Sequence, residues 1–170
     1  ILQGGYGLKI VIGDNYLSDP FLNKLRSDFP EINFQAAYSE EEQMRHIRDA
    51  DAFVGRVTTK VFLLADRLRW IHNPGTGIDW VPSVPELINS DVVLTNALGA
   101  HTEPMADHVF AMILTFAHRM YELREDQKAH RWNTSRYNGG MIDLNGQTIG
   151  ILSMGGIGMA VARRATGFGM

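Results

Sequence analysis

Short apolar runs alternate along the first hundred residues with polar segments that open helices. Residues 8–12, Leu-Lys-Ile-Val-Ile, form a β-branched run closed by Gly13 and Asp14, which reads as a buried strand. Asp19-Pro20 then opens a helix, since proline at the first helical position wastes no hydrogen bond and Asp19 can cap it. Phe21, Leu22 and Leu25 are expected on one face of that helix, and Pro30 ends it. A second strand is predicted over 32–37. Ser39 with Glu42 forms a capping box ahead of Met44, His46 and Ile47, so a helix follows. Residues 52–55 make a third strand, Thr58 or Thr59 caps a short helix through Val61, Leu63 and Leu64, and 68–71 make a fourth strand. Ser83-Val-Pro-Glu starts another short helix before a fifth strand that ends at Asn96. Parallel neighbours need crossovers, and the crossovers cover the sheet, so the alternation predicts an α/β fold with a doubly wound parallel sheet over residues 1–100.

The texture changes at Glu103. Pro104 sits in the first turn of a long helical pattern with Met105, Val109, Met112, Ile113, Phe116 and Met120 on one face. The pattern predicts a helix reaching the His130 region, polar in its second half as it passes from one core towards another. Residues 132–145 are rich in Asn, Gly and Ser and read as a loop. A last strand over 149–152 and a last helix follow, which makes 101–170 a second region.

Composition narrows the setting. The chain has 170 residues, 45% hydrophobic and 21% charged, enough for a sizeable core. A net charge of −3 with both signs interspersed offers no basic stripe for nucleic acid and no polybasic segment for a membrane surface. With no cysteine there is no disulfide framework, thiolate zinc site or cysteine nucleophile, which fits the cytoplasm. The longest apolar stretch, 106–117, is interrupted by Asp107 and His108 and is shorter than the roughly 20 residues of a bilayer span. The chain starts at Ile1 with no signal-peptide pattern, and both ends are expected to be cuts in a longer protein.

The sharpest chemical feature is Thr148-Ile-Gly-Ile-Leu-Ser-Met-Gly-Gly-Ile-Gly, an apolar run entering a glycine-rich turn and then an alanine-rich helix. Such a turn lets backbone approach a pyrophosphate, whose charge is met by free N–H groups at the helix start. Gly155 and Gly158 take the second and third places of the G-x-G-x-x-G pattern, and Ser153 takes the first. Serine is expected to make that turn only if its φ stays negative.

The second feature is Asn73-Pro-Gly-Thr-Gly-Ile-Asp, directly after the fourth strand. Ligands of doubly wound sheets bind outside the carboxyl ends of the strands, so a carboxylate can sit at Gly75, Thr76 and Gly77, with Arg56 after the third strand as its charged partner. His108 reads as a helix-packing residue or a partner of Asp107, His72 flanks the turn, and His101 lies at the entrance to the long helix. None has metal-ligand or triad spacing, and none is assigned catalysis.

Taken in order, residues 73–79, then Leu94-Thr-Asn-Ala-Leu-Gly-Ala-His-Thr-Glu-Pro-Met-Ala-Asp-His, then residues 144–158, resemble the D-isomer-specific 2-hydroxyacid dehydrogenase family. The resemblance implies a flavodoxin-like substrate domain, a long interdomain helix and the first strand-turn-helix of a Rossmann domain. It implies backbone donors to a substrate carboxylate at Thr76 and Gly77, and Met105, Gly156 and Ile157 against an NAD or NADP cofactor. It further implies hydride exchange with a small 2-hydroxy or 2-oxo acid such as glyoxylate or hydroxypyruvate, and a homodimer through the long helix. The family's catalytic arginine, glutamate and histidine all lie downstream of the glycine turn, so the chain by itself is expected to be inactive. The alternative is a non-catalytic, NAD-sensing, corepressor-like binding protein or a truncated interaction domain on the same scaffold.

Overall fold

The computed structural model describes residues 7–15, 17, 19–137 and 139–170. The chain divides into two compact units, Ile1–Leu98 and Gly99–Met170.

The first unit is built on strands β1 (Lys9–Ile12), β2 (Asn33–Ala36), β3 (Ala52–Val54), β4 (Trp70–Asn73) and β5 (Val93–Asn96). They form one five-stranded sheet in the order β2-β1-β3-β4-β5, every pair parallel. This is the flavodoxin-like order, whose direction reverses between β1 and β3. Alternation along the strands feeds two cores. Val11, Phe53 and Ile71 point to the face covered by α2 (Glu40–His46), α3 (Thr59–Phe62) and α4 (Pro85–Ile88). Ile10, Ile12 and Ala52 point to the other face, with Leu22 of α1 (Asp19–Asp28).

Local signals act where expected in α2, where the Ser39–Glu42 capping box is formed. Thr58, not Thr59, caps α3 through its Oγ1, which accepts from the Val61 N–H at 3.4 Å. The fourth strand runs two residues later than expected, to Asn73, because its ladder continues in register with β5 through Asn73↔Asn96. On α1 only Leu22 is fully buried, while Phe21 is exposed, since it lies outside the stripe made by Leu22 and Leu25. At the end of β1, a Cβ on Gly13 would overlap the Phe53 ring, so the core aromatic there depends on glycine.

In the second unit, α5 (Thr102–Ala117) packs on α7 (Gly156–Gly167) through Ala106, Phe110, Ala160, Val161 and Ala165. Phe110 and Phe168 stack with centroids 4.8 Å apart. The apolar stripe read from the sequence divides: Met105, Met112, Phe116 and Met120 are exposed, Ile113 is half-buried, and Val109 packs against the α5–α7 core. Ala106 and Phe110 make the closer packing surface on α5, and Met120 falls beyond the end of that helix.

The long helix breaks before the His130 region. His118 ends α5, Arg119 takes a left-handed φ of 54°, and α6 (Met120–Lys128) starts a new helix. The break is held by Arg119 Nε donating to Glu122 at 3.0 Å and by the Ile142 N–H donating to the freed Ala117 carbonyl at 2.9 Å. Residues 149–152 form no ladder, since a strand needs a neighbour and no strand is formed among the described residues of this unit. His108 is exposed, and Asp107 pairs with Arg164 at 2.6 Å instead.

Asp126 on α6 is the charged centre of this unit. Buried to 3% exposure, its carboxylate accepts from Tyr137 Oη, from Arg131 Nη2 at 2.7 Å and from Arg136 Nη1 at 3.1 Å. The Tyr137 hydroxyl foremost, then Arg131, hold the Asp126 carboxyl below the usual carboxylate range. A lowered folded-state pKa stabilises the fold above the unfolded value of about 3.9, and that contribution disappears as pH falls through the lower folded value. Acid titration of the near-ultraviolet dichroism is therefore expected to show Tyr137 losing its fixed environment below about pH 4. Asp126→Asn is expected to lower the thermal midpoint at neutral pH and to flatten this acid limb.

Candidate functional site

Each unit carries one candidate site. In the first unit, Arg56 and the 73–79 turn leave the carboxyl ends of the adjacent strands β3 and β4. The Gly55 N–H donates to the His72 carbonyl at 2.9 Å, which sets Arg56 beside the start of the turn with its side chain exposed. His72 itself is engaged, its Nδ1 lying 2.9 Å from the Thr95 hydroxyl, which also accepts from Trp70 Nε1 at 2.9 Å.

The turn is held from beneath by two asparagines. Asn73, 1% exposed, donates through Nδ2 to the carbonyls of Gly75 at 3.1 Å and Gly77 at 2.6 Å. Its Oδ1 accepts from the Gly75 N–H at 3.4 Å. Asn96 Nδ2 donates to the Thr76 carbonyl at 2.8 Å, and the Ala97 N–H donates to the Gly75 carbonyl at 3.2 Å. Thr76, Gly77 and Ile78 are exposed, and among the described residues none accepts a hydrogen bond from their N–H groups. Of the residues expected to face an anion, Thr76 and Gly77 thus have free donors, whereas the Gly75 N–H is turned towards Asn73. The turn has no left-handed residue from Pro74 to Asp79, so side chains rather than glycine conformations shape it.

In the second unit, Gly155 is the N-cap of α7 and makes no side-chain cap. The first helical bond runs from the Met159 N–H to the Gly155 carbonyl at 2.9 Å, which leaves the N–H groups of Gly156, Ile157 and Gly158 without a partner inside the helix. A Cβ on Gly158 would overlap the Ser153 carbonyl oxygen, so only glycine lets the helix start this close to the preceding segment. A Cβ on Gly155 would meet nothing within 4 Å, leaving that backbone open to an incoming group. These features fit a dinucleotide pyrophosphate: open backbone, unpaired donors and the positive end of a twelve-residue helix. Ser153 departs from expectation, with φ at +79°. The turn demands the left-handed conformation that the pattern's first glycine would supply freely, and serine adopts it under strain. Met105 is exposed on the first turns of α5, three residues from Thr102, whose Oγ1 would lie 3.2 Å from a Cβ on Gly156.

Residues 110–170 match the family model of the D-isomer-specific 2-hydroxyacid dehydrogenase NAD-binding domain. The chain belongs to the D-isomer-specific 2-hydroxyacid dehydrogenase family. It is 34% identical over 142 residues to a glyoxylate reductase of Korarchaeum cryptofilum, covering 80% of this chain and 42% of that protein. It is 30% identical over 166 residues to a D-3-phosphoglycerate dehydrogenase of Bacillus subtilis, covering 95% of this chain and 30% of that one. The chain therefore spans less than half the length of these curated relatives. Among solved structures, the D-lactate dehydrogenase of Aquifex aeolicus complexed with NAD and lactic acid shares the fold at a TM-score of 0.76 and 21% identity, covering 95% of this chain and 49% of that one.

Asn73, Asn96 and Thr102 escape a reading of this family's sequence pattern, although all three lie in or beside its motifs. The available signal was an asparagine at the end of each of two adjacent strands. At the glycine turn, Ser153→Gly is expected to raise stability by about 1 kcal/mol, since it relieves a left-handed non-glycine residue. Gly158→Ala is expected to lower it by about 1–3 kcal/mol through the backbone overlap. Thermal melts of both variants beside the parent chain check the opposite signs.

Proposed function

We propose that this chain is the front part of an NAD(P)-dependent D-2-hydroxyacid dehydrogenase acting as a reductase of a short 2-oxo acid, such as glyoxylate or hydroxypyruvate. The observation that carries the reading is the uncapped start of α7, with three N–H groups that have no partner inside the helix beside Gly155, where a Cβ would meet nothing within 4 Å. Residues 1–100 would serve as the substrate domain, and 101–170 as the interdomain helix and the start of the nucleotide-binding domain. Gly155, Gly156, Ile157 and Gly158 hold the cofactor pyrophosphate by backbone, Ser153 shapes the turn, and Met105 lies against the dinucleotide. When bound, the nicotinamide exchanges hydride with C2 of the acid. The Thr76 and Gly77 N–H groups hold the substrate carboxylate, Gly75 ties the turn to Asn73, and Arg56 supplies a positive charge at the same strand ends. The names of the relatives, glyoxylate reductase and D-3-phosphoglycerate dehydrogenase, support a small acid substrate.

The proton that accompanies the hydride is assigned to no histidine of this chain, since His72 is engaged with Thr95 and His108 stands exposed on α5. We propose that the chain alone binds cofactor only weakly and does not turn over. A homodimer through α5 is supported by its exposed apolar residues, in which Phe116 is 66% exposed beside Met112.

A protein of the relatives' full length that contains this chain is expected to oxidise NADH or NADPH with glyoxylate or hydroxypyruvate, and absence of turnover with every short 2-oxo acid would sink the reading. For the 170-residue chain, isothermal titration with each cofactor is expected to give binding weaker than micromolar. Sedimentation velocity is expected to show dimers that Phe116→Glu dissociates, and a monomeric parent chain would remove the dimer from the account.

A further inference from the structure

The carbonyls of the 73–79 turn point to an unassigned role for the two asparagines beneath it. Every described peptide bond is trans, and in a trans peptide the N–H of one residue points opposite to the carbonyl of the residue before it. Asn73 Nδ2 gathers the carbonyls of Gly75 and Gly77, so the N–H groups of Thr76 and Ile78 face away from Asn73. Asn96 Nδ2 holds the Thr76 carbonyl, so the Gly77 N–H faces away from Asn96. No residue of the turn is left-handed, so its peptide planes are held by these side-chain bonds together with the Ala97 N–H on the Gly75 carbonyl rather than by a glycine-only conformation. Asn73 and Asn96 are register partners across β4 and β5, so the sheet delivers both amides to one short loop.

We infer that Asn73 and Asn96 are positioning residues that aim the N–H groups of Thr76, Gly77 and Ile78 at a substrate carboxylate. The inference rests on reading the turn as the carboxylate site, and it adds Ile78 as a third donor. Neither asparagine touches the substrate. Each acts through the carbonyl it holds, and preorganised donors bind an anion without the loss of freedom that a mobile loop would suffer.

The test is an amide-resolved nuclear magnetic resonance titration of the whole 170-residue chain with oxamate, an unreactive 2-oxo acid analogue. In the parent chain the Thr76, Gly77 and Ile78 amides are expected to shift together along one binding curve. Asn96→Ala removes one clamp from a half-buried position and is expected to weaken oxamate about tenfold, the size of one well-placed hydrogen bond, with the thermal midpoint unchanged. Asn73→Asp keeps the shape but loses both donations and is expected to weaken it further. Should the buried Asn73→Asp variant fail to fold, Asn96→Ala decides alone. Parent-like affinity in Asn96→Ala overturns the positioning role while leaving the carboxylate site standing. If the parent amides do not shift in the folded chain, the carboxylate site and the positioning role fall together.

Discussion

The in-register parallel ladder between β4 and β5 is the constraint on which the first unit's binding geometry depends. It pairs Trp70 with Val93 and ends with Asn73 opposite Asn96, so two amide side chains arrive at the same level of the sheet edge. The Ala97 N–H then reaches back to the Gly75 carbonyl, carrying the bonding past the last strand residues into the turn. A slip of one residue would send Asn96 to the opposite face and its amide out of reach of Thr76. The core fixes that register, because Ile71 and Leu94 belong to the same cluster as Phe53 and Val11.

A different constraint governs the second unit, where small side chains let two helices approach. Ala106 on α5 faces Ala160 and Ala165 on α7, and Phe110 fills the space that the alanines leave. Ion pairs from Arg163 and Arg164 to Glu103, and from Arg164 to Asp107, rim this contact. Exposed pairs of this kind contribute little on their own, so apolar packing holds α7 in place. The glycine turn is then presented by helix packing at one end and by the close approach at Gly158 on the other. Ser153 carries its left-handed strain at that close approach, its own carbonyl oxygen being the atom that Gly158 meets.

Much of this was legible in the residues. Five strands, the capping box at Ser39 and the alternation that demands parallel pairing could all be read from local pattern and chain direction. The unread part shares one physical origin: it depends on what lies opposite a residue rather than on its neighbours in sequence. Periodicity put Met105, Val109, Met112, Ile113, Phe116 and Met120 on one face, but it could not say that Ala106 and Phe110 make the contact with α7 or that Val109 alone of the six packs beside them. The break at Arg119 follows from the Ile142 N–H taking up the Ala117 carbonyl, a contact between segments far apart in sequence. Residues 149–152 have the composition of a buried strand, yet Leu152 is fully exposed, because burial of a strand is a property of the sheet that receives it. Asn73 and Asn96 belonged to recognisable motifs, but their joint action required the register of two strands.

Cofactor recognition by the glycine turn is tested most directly by following backbone amide shifts of the chain as NADH is added at millimolar concentration. The account predicts that Gly156, Ile157 and Gly158 move first and furthest, with Met105 following. Shifts that leave these residues unmoved while other surfaces respond, or no shift at all in a folded chain, would contradict it.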